Sequence, residues 1–209
     1  MNQSDIPPTF VPVDTWGNIP SDDECRGWWD EYAMLEHIKV HSELVAGVAT
    51  DLAELAADRN LGNPMGLPRE AFVQSVRACG LLHDLGKTYS IAHGGNHSQF
   101  GAAWVMELTR NQHIAQGVVH HVYWPGDLDP DRFFLPLAII YADKRVKHDA
   151  IVSIDERFED LMSRYGHSER SRTLVRRSHD QGVELERIFS TYIGEDIHAY
   201  PFDRRRLVR

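Results

Sequence analysis

Residues 69–87 read REAFVQSVRACGLLHDLGK. Phe72, Val73, Val76, Leu81 and Leu82 return at helical steps, so the stretch has one apolar face and reads as an amphipathic helix from Arg69 to about Leu85. Pro68 opens it at the position where a missing N–H costs nothing. Gly86 is expected to close it, as glycine commonly does just past a helix end. The pair His83-Asp84 then falls in the last turn, at the rim of the apolar face, where pockets tend to form. Adjacent helical side chains diverge by about 100°. One such pair can therefore grip two sides of an ion, or one ion and its neighbour. A carboxylate can bridge two metals, and imidazole supplies the nitrogen that transition metals favour.

Working outward, the same period-3.6 pattern recurs on both sides. A long helix is expected from about Arg26 to Asn60, carrying Trp28, Tyr32, Leu35, Leu44, Val45, Val48, Leu52 and Leu55. NLGNPMGLP, 60–68, is turn chemistry. TYSIAHGGN, 88–96, reads as a loop. Further helices are expected over about 97–110, 112–122, 131–148, 153–165 and 168–193, with WPGDLDP, 124–130, as a clear break. No window alternates with period two, so strands are few or absent. The fold class is all-α, a helical bundle. We divide the chain into an extended, proline-rich arm over 1–25, a helical metal-binding domain over 26–150, and C-terminal helices over 151–209 that pack on the same domain.

Composition limits the function classes. The 209 residues carry 31 acidic and 22 basic side chains, a net charge of −9. The balance is −10 before position 143 and +1 from there on. An acidic body argues against a general nucleic-acid surface, which needs a basic footprint. It is compatible with a small phosphorylated substrate, because bound metal can reverse the local field. The basic tail Arg204, Arg205, Arg206 and Arg209 reads as a solvated end. No apolar run approaches the roughly 20 residues of a membrane span, and the first residues carry no secretory pattern. Two cysteines, Cys25 and Cys79, cannot build a disulfide framework, so a reducing cytoplasm is expected.

Histidine is the unusual residue. Eight of the twelve lie between positions 37 and 121. His41 sits beside the apolar stripe of the first long helix, with His37 one turn earlier on the same face. Asp143 follows the apolar run that ends at Ala142, and a carboxylate there is expensive to bury unless paired or metal-bound. His97 opens a helix whose next turn, Gly101-Ala102-Ala103, permits close packing. His120 and His121 end the helix before the WPG turn.

These elements resemble, in order, the signature of the HD-domain superfamily of metal-dependent phosphohydrolases, in its HDIG-like branch. HSELVAGVA (41–49) is similar to its first-helix motif, and LLHDLGK (81–87) to its most specific segment. HSQFGAAWV (97–105), HHVYWPG (120–126) and YADKRV (141–146) resemble the later ligand-bearing elements. The resemblance implies an HD-domain helical bundle. In it His41, His83, Asp84 and Asp143 hold one metal. His97 and either His120 or His121 hold a second, with Asp84 bridging. Alignment on the preceding apolar residues favours His121, and alignment on Trp124-Pro125-Gly126 favours His120. His37 occupies the place of a further ligand in some relatives. Val122 and the lack of a Gly-Tyr-Pro sequence separate the chain from the branch that cleaves cyclic dinucleotides.

The expected cofactors are one or two divalent ions: manganese, iron, nickel, cobalt, magnesium or zinc. They would acidify a water and neutralise charge on a phosphoryl group. Asp84 and Lys87 are the expected catalytic side chains. Lys87, Lys144 and Arg145 are expected to face the substrate phosphate, and Tyr123 and Trp124 to offer rings to a nucleobase. The leading expectation is hydrolysis of a phosphate ester or phosphoanhydride, with a nucleotide as the expected substrate. The alternatives are a di-iron oxygenase cleaving a carbon–carbon or carbon–phosphorus bond, and a silent ligand-sensing module. The expected partner is a small phosphorylated molecule, with no membrane. A subunit contact through the charged C-terminal helices would make a homo-oligomer. His148, His167, His179 and His198 are expected at the surface.

Overall fold

The computed structural model describes residues 17–64 and 66–202. Their helices run α1 (Asp22–Glu31), α2 (Glu36–Ala57), α3 (Arg69–Leu82), α4 (Lys87–His93), α5 (His97–Thr109), α6 (Gln112–His120), α7 (Pro130–Lys144), α8 (Ile154–Tyr165) and α9 (Glu169–Ile193). Strands β1 (Val146–Lys147) and β2 (Ala150–Ile151) pair antiparallel in one short hairpin between α7 and α8. The all-α expectation therefore holds. No described helix is long and apolar enough to cross a membrane.

Helices α2 and α3 form the centre. Val45, Ala46, Val48, Ala49, Leu52 and Ala53 on α2 and Val76, Ala78, Cys79, Leu81 and Leu82 on α3 are almost wholly buried. Each large apolar side chain buried this way contributes roughly 1.5–3 kcal/mol. Their closeness depends on Gly80, where an added Cβ would lie 2.6 Å from Ala46 Cα. Helix α1 starts at a capping box, with Ser21 and Glu24 satisfying each other's backbone N–H groups. Trp29 Nε1 donates to the Leu81 carbonyl at 2.9 Å and pins α1 to the end of α3. Helix α7 is capped by the Asp129 side chain, begins at Pro130 and is kinked at Phe133 (φ −131°). Pro136, three residues later, removes a helical hydrogen bond and crowds the preceding turn. The last helix packs on the same body: Phe189 meets Phe134 and Tyr141 with ring centroids 5.6 and 5.9 Å apart. The Gln181 amide satisfies both the N–H and the carbonyl of Trp124, at 2.9 and 2.8 Å.

Several expected boundaries are corrected. The helix expected over 26–60 is two, because the chain breaks at Tyr32–Leu35 with Ala33 in the left-handed region (φ 49°). The apolar spacing continues in phase across this break, so periodicity could not reveal it. The expected loop at 88–96 is largely α4. The helix expected over 131–148 ends at Lys144, where the hairpin turns through His148 (φ 56°). Gly86 does not cap a left-handed helix end, since its φ is −79°. It is required by proximity instead: a Cβ there would lie 2.4 Å from the His97 carbonyl oxygen and 2.7 Å from Gly101 N. Of the expected N-terminal arm, residues 1–16 lie outside the described residues, and 22–25 belong to α1. The basic tail also lies outside them.

Candidate metal centre

Five helices deliver side chains to one point. His41 comes from the middle of α2, Asp143 from the last turn of α7, and His97 from the first position of α5, behind the Asn96 cap. His83 and His121 stand in matching places, each the residue that closes its helix, α3 or α6. In both, Nδ1 lies 2.7 Å from the carbonyl oxygen three residues back, Gly80 for His83 and Val118 for His121. These carbonyls lie in a last turn, where helical carbonyls lose their own N–H partners. A carbonyl only accepts, so Nδ1 carries the proton and Nε2 faces the centre. A backbone partner that fixes ring and tautomer in this way is a usual support for a metal-bound histidine.

Asp84 lies at the middle of the cluster and is 1% exposed. Its Oδ2 is 3.5 Å from His83 Nε2 and 4.0 Å from His41 Nε2. Its Oδ1 is 3.4 Å from His97 Nε2 and 3.6 Å from His121 Nε2. The atoms of His41, His83 and Asp84 form one group that could hold an ion, and those of Asp84, His97 and His121 a second. Asp143 joins the first through Oδ1, 3.0 Å from His41 Nε2. The nitrogens of His97 and His121 are 3.1 Å apart. With metal–nitrogen bonds of about 2.1 Å, ligands at a right angle are separated by about 3 Å.

Two atoms test whether a cation fits. His83 Nε2 and Asp84 Oδ1 are buried with no hydrogen-bond partner among the described residues. A buried polar atom left unpaired costs about 1–3 kcal/mol, and here one is an imidazole nitrogen and the other a carboxylate oxygen, both metal donors. The donor set of nitrogens and carboxylates suits a first-row divalent ion. The residues present therefore fit the implied metal.

The electrostatics agree. Burial pushes His41 and His97 below the ordinary imidazole value, and His121 down to about 3, so all three are neutral and can donate a lone pair at neutral pH. Burial opposes ionisation of Asp84 and Asp143. The fields of His83 and Lys87 on Asp84, and the His41 hydrogen bond together with the Arg157 cation on Asp143, hold both well below the usual carboxylate range. For His83, burial is outweighed by Asp84, Asp143 and the Gly80 carbonyl, which raise its proton affinity. The same field attracts a metal cation to Nε2.

Of the residues singled out in the sequence, His41, His83, Asp84, His97, His121 and Asp143 converge. His120 does not: it stacks edge-on against Trp124, centroids 5.1 Å apart. His121 shares the buried stripe of Ile114 and Val118, and this phase decides between the neighbours. Lys87 reaches the centre, its Nζ 2.6 Å from Asp84 Oδ2. Lys144 and Arg145 do not line its mouth. Lys144 is buried and donates to the Val122 carbonyl, with burial lowering its pKa to about 8. Arg145 is buried against Tyr141, Glu186 and the carbonyls of Val152 and Ile197. Trp124 is core, and Tyr123 is held by Arg177, so neither ring is offered to a ligand. His37 is exposed on the cleft wall outside the cluster.

The centre opens on a cleft of about 850 Å³. Its walls include His37, Val40, His41, Asp84, Lys87 and Ile91, and also His148, Arg157, Arg164 and Tyr165 from the hairpin and α8. Arg157 and Arg164 escaped the sequence reading, which took α8 for a capping helix. Their spacing of seven, two helical turns on one face, was the available signal.

No curated protein and no solved structure matches the chain. Residues 39–149, just over half of it and including all six converging side chains, match the family model of the HD domain. The chain belongs to the HD-domain family.

Proposed function

We propose that this protein is a metal-dependent phosphohydrolase acting on a phosphate ester or phosphoanhydride of a small molecule, with nucleotides the first class to test. HD domains are typically metal-dependent hydrolases, and a buried His/Asp cluster suited to metal is present. The observation that carries the finer reading is Asp84: its two oxygens face two separate ligand groups, and Lys87 holds it from the cleft side. Divalent ions held there would supply Lewis acidity toward a phosphoryl oxygen and make a water acidic enough to serve as nucleophile.

The chain's own residues do the rest. The Nδ1–H bonds of His83 and His121 to the Gly80 and Val118 carbonyls hold both rings with Nε2 turned to the centre, where it can bind an ion. Lys87, its pKa raised against burial by Asp84 and Asp143, stays cationic. One Lys87 N–H bonds Asp84, and the remaining donors are available to a phosphoryl oxygen. Cys25 and Cys79 are free and buried, which suits the cytoplasmic setting we propose.

The test is metal-stripped protein reloaded in turn with manganese, nickel, cobalt, magnesium, zinc or ferrous iron. Each form is assayed on phosphomonoesters, phosphodiesters and nucleotides. Phosphate release that requires metal and is lost in Asp84→Asn is expected. Tight metal binding without turnover on any ester would sink the hydrolase reading, and iron-dependent oxygen uptake would replace it with the oxygenase.

A further inference from the structure

Helix α8 lies beyond the matched region 39–149, yet it forms a wall of the cleft. Its residues Arg157, Asp160 and Arg164 share one face. Arg157 Nη1 and Arg164 Nε lie 3.5 and 3.3 Å from the same oxygen, Asp160 Oδ2. Those two nitrogens are therefore no more than about 7 Å apart, and the carboxylate between them holds both guanidinium groups over the cleft. Arg157 is 8% exposed, and its Nη2 is 4.0 Å from Asp143 Oδ1, at the edge of the metal centre. Its Nε is buried with no hydrogen-bond partner among the described residues. A charged donor left unmade beside a ligand cluster points to an acceptor that arrives with the substrate.

Charge points the same way. In and around the cleft the carboxylates of Glu36, Asp84, Asp143, Asp149 and Asp160 outnumber the cations of Lys87, Arg157 and Arg164 by two. One divalent ion would balance that charge, and a second would leave a positive surplus that calls for an anion. A terminal phosphoryl group offers three non-bridging oxygens and a diester only two. If two oxygens face the ligand cluster, a terminal group alone keeps one for a guanidinium, whose planar fork suits a phosphate.

We propose that α8 supplies an anion clamp, in which Arg157 and Arg164, tied together by Asp160, bind the terminal phosphoryl dianion of the substrate and select phosphomonoesters over diesters. Arg157 binds the reacting group, and Arg164 closes the outer side. This rests on the phosphohydrolase reading for the identity of the substrate, but its first test does not require turnover.

Inorganic phosphate is titrated calorimetrically into manganese-loaded wild-type protein, Arg157→Ala, Arg157→Lys and Arg164→Ala, with manganese content measured in each. Arg157→Ala is expected to weaken phosphate binding about tenfold or more, the cost of one lost charge-assisted contact. Arg164→Ala is expected to weaken it about threefold to tenfold, and Arg157→Lys to recover part of the loss, all at unchanged manganese content. The ratio of kcat/KM for p-nitrophenyl phosphate over bis(p-nitrophenyl) phosphate should fall about tenfold in Arg157→Ala. Unchanged phosphate affinity in both alanine variants, or no phosphate binding by the wild type, overturns the clamp. So does a loss that merely tracks lost manganese, which would make Arg157 a support for Asp143. Arginine-dependent phosphate binding with neither ester hydrolysed keeps the clamp and removes the hydrolase. Hydrolysis indifferent to both arginines does the reverse.

Discussion

Gly86→Ala should separate the two halves of the metal centre. The added methyl would meet two backbone atoms of α5, the His97 carbonyl oxygen at 2.4 Å and Gly101 N at 2.7 Å. Ordinary Cβ contacts are about 3.5 Å or more, so the first turn of α5 must retreat by about 1 Å. Backbone cannot rotate away as a side chain can, and overpacking of this kind typically costs about 1–3 kcal/mol. For a chain of this length a loss of about 2 kcal/mol lowers Tm by roughly 4–8 °C. His97 is the first residue of that turn, and ligand distances tolerate only about ±0.2 Å. The group of Asp84, His97 and His121 should therefore lose its ion, while His41, His83, Asp84 and Asp143 keep theirs. Manganese titration of stripped protein, read by calorimetry with elemental analysis, is expected to fall from two ions to one. Gly27→Ala is the control: nothing lies within 4 Å of its added Cβ, mid-helix in α1, and stability should rise by about 0.5–1 kcal/mol. If Gly86→Ala still binds two ions with wild-type affinity, the backbone approach does not position His97 and the reasoning fails.

Other outcomes follow from the same geometry. His121→Ala should remove one ion, whereas His120→Ala should keep full metal content and lose only its packing on Trp124; elemental analysis separates them. Lys144→Met should remove a pH dependence: folding lowers the Lys144 pKa from 10.5 to about 8, so the unfolded chain binds more protons between those values. Wild-type stability relative to that variant should then rise as pH goes from 8 to 10.5, and denaturant unfolding at the two pH values that shows the opposite slope would refute it. Gln181→Leu leaves the buried N–H and carbonyl of Trp124 unpaired and should cost about 2–5 kcal/mol, with metal content unchanged, as judged by urea titration.

Much of the centre was legible along the chain because ligand chemistry is local. His83-Asp84 ends an apolar helix, His97 follows a capping asparagine, and Asp143 ends an apolar run. Each is a polar group where burial would be costly without a partner. The choice between His120 and His121 was different in kind. One motif alignment pointed each way, and the phase of α6 against the core, with Ile114, Val118 and His121 inward, brings His121 and not His120 beside Asp84. Lys144 and Arg145 misled for a similar reason. They follow a ligand in sequence, but the hairpin after α7 turns both into the interior, toward Val122 and Glu186.

By itself, then, the sequence determined the all-helical class and the positions and chemical type of the candidate metal donors, because periodicity and donor identity are carried by short stretches. Only the tertiary structure decided which donors meet, which basic groups face the cleft and why Gly86 is glycine. His41 and Asp143 are 102 positions apart yet 3.0 Å from each other, and Arg157 reaches Asp143 from a helix with no ligand of its own. Such contacts arise from how whole helices pack on α2 and α3, and packing depends on side-chain volumes summed across the core and not on any one segment.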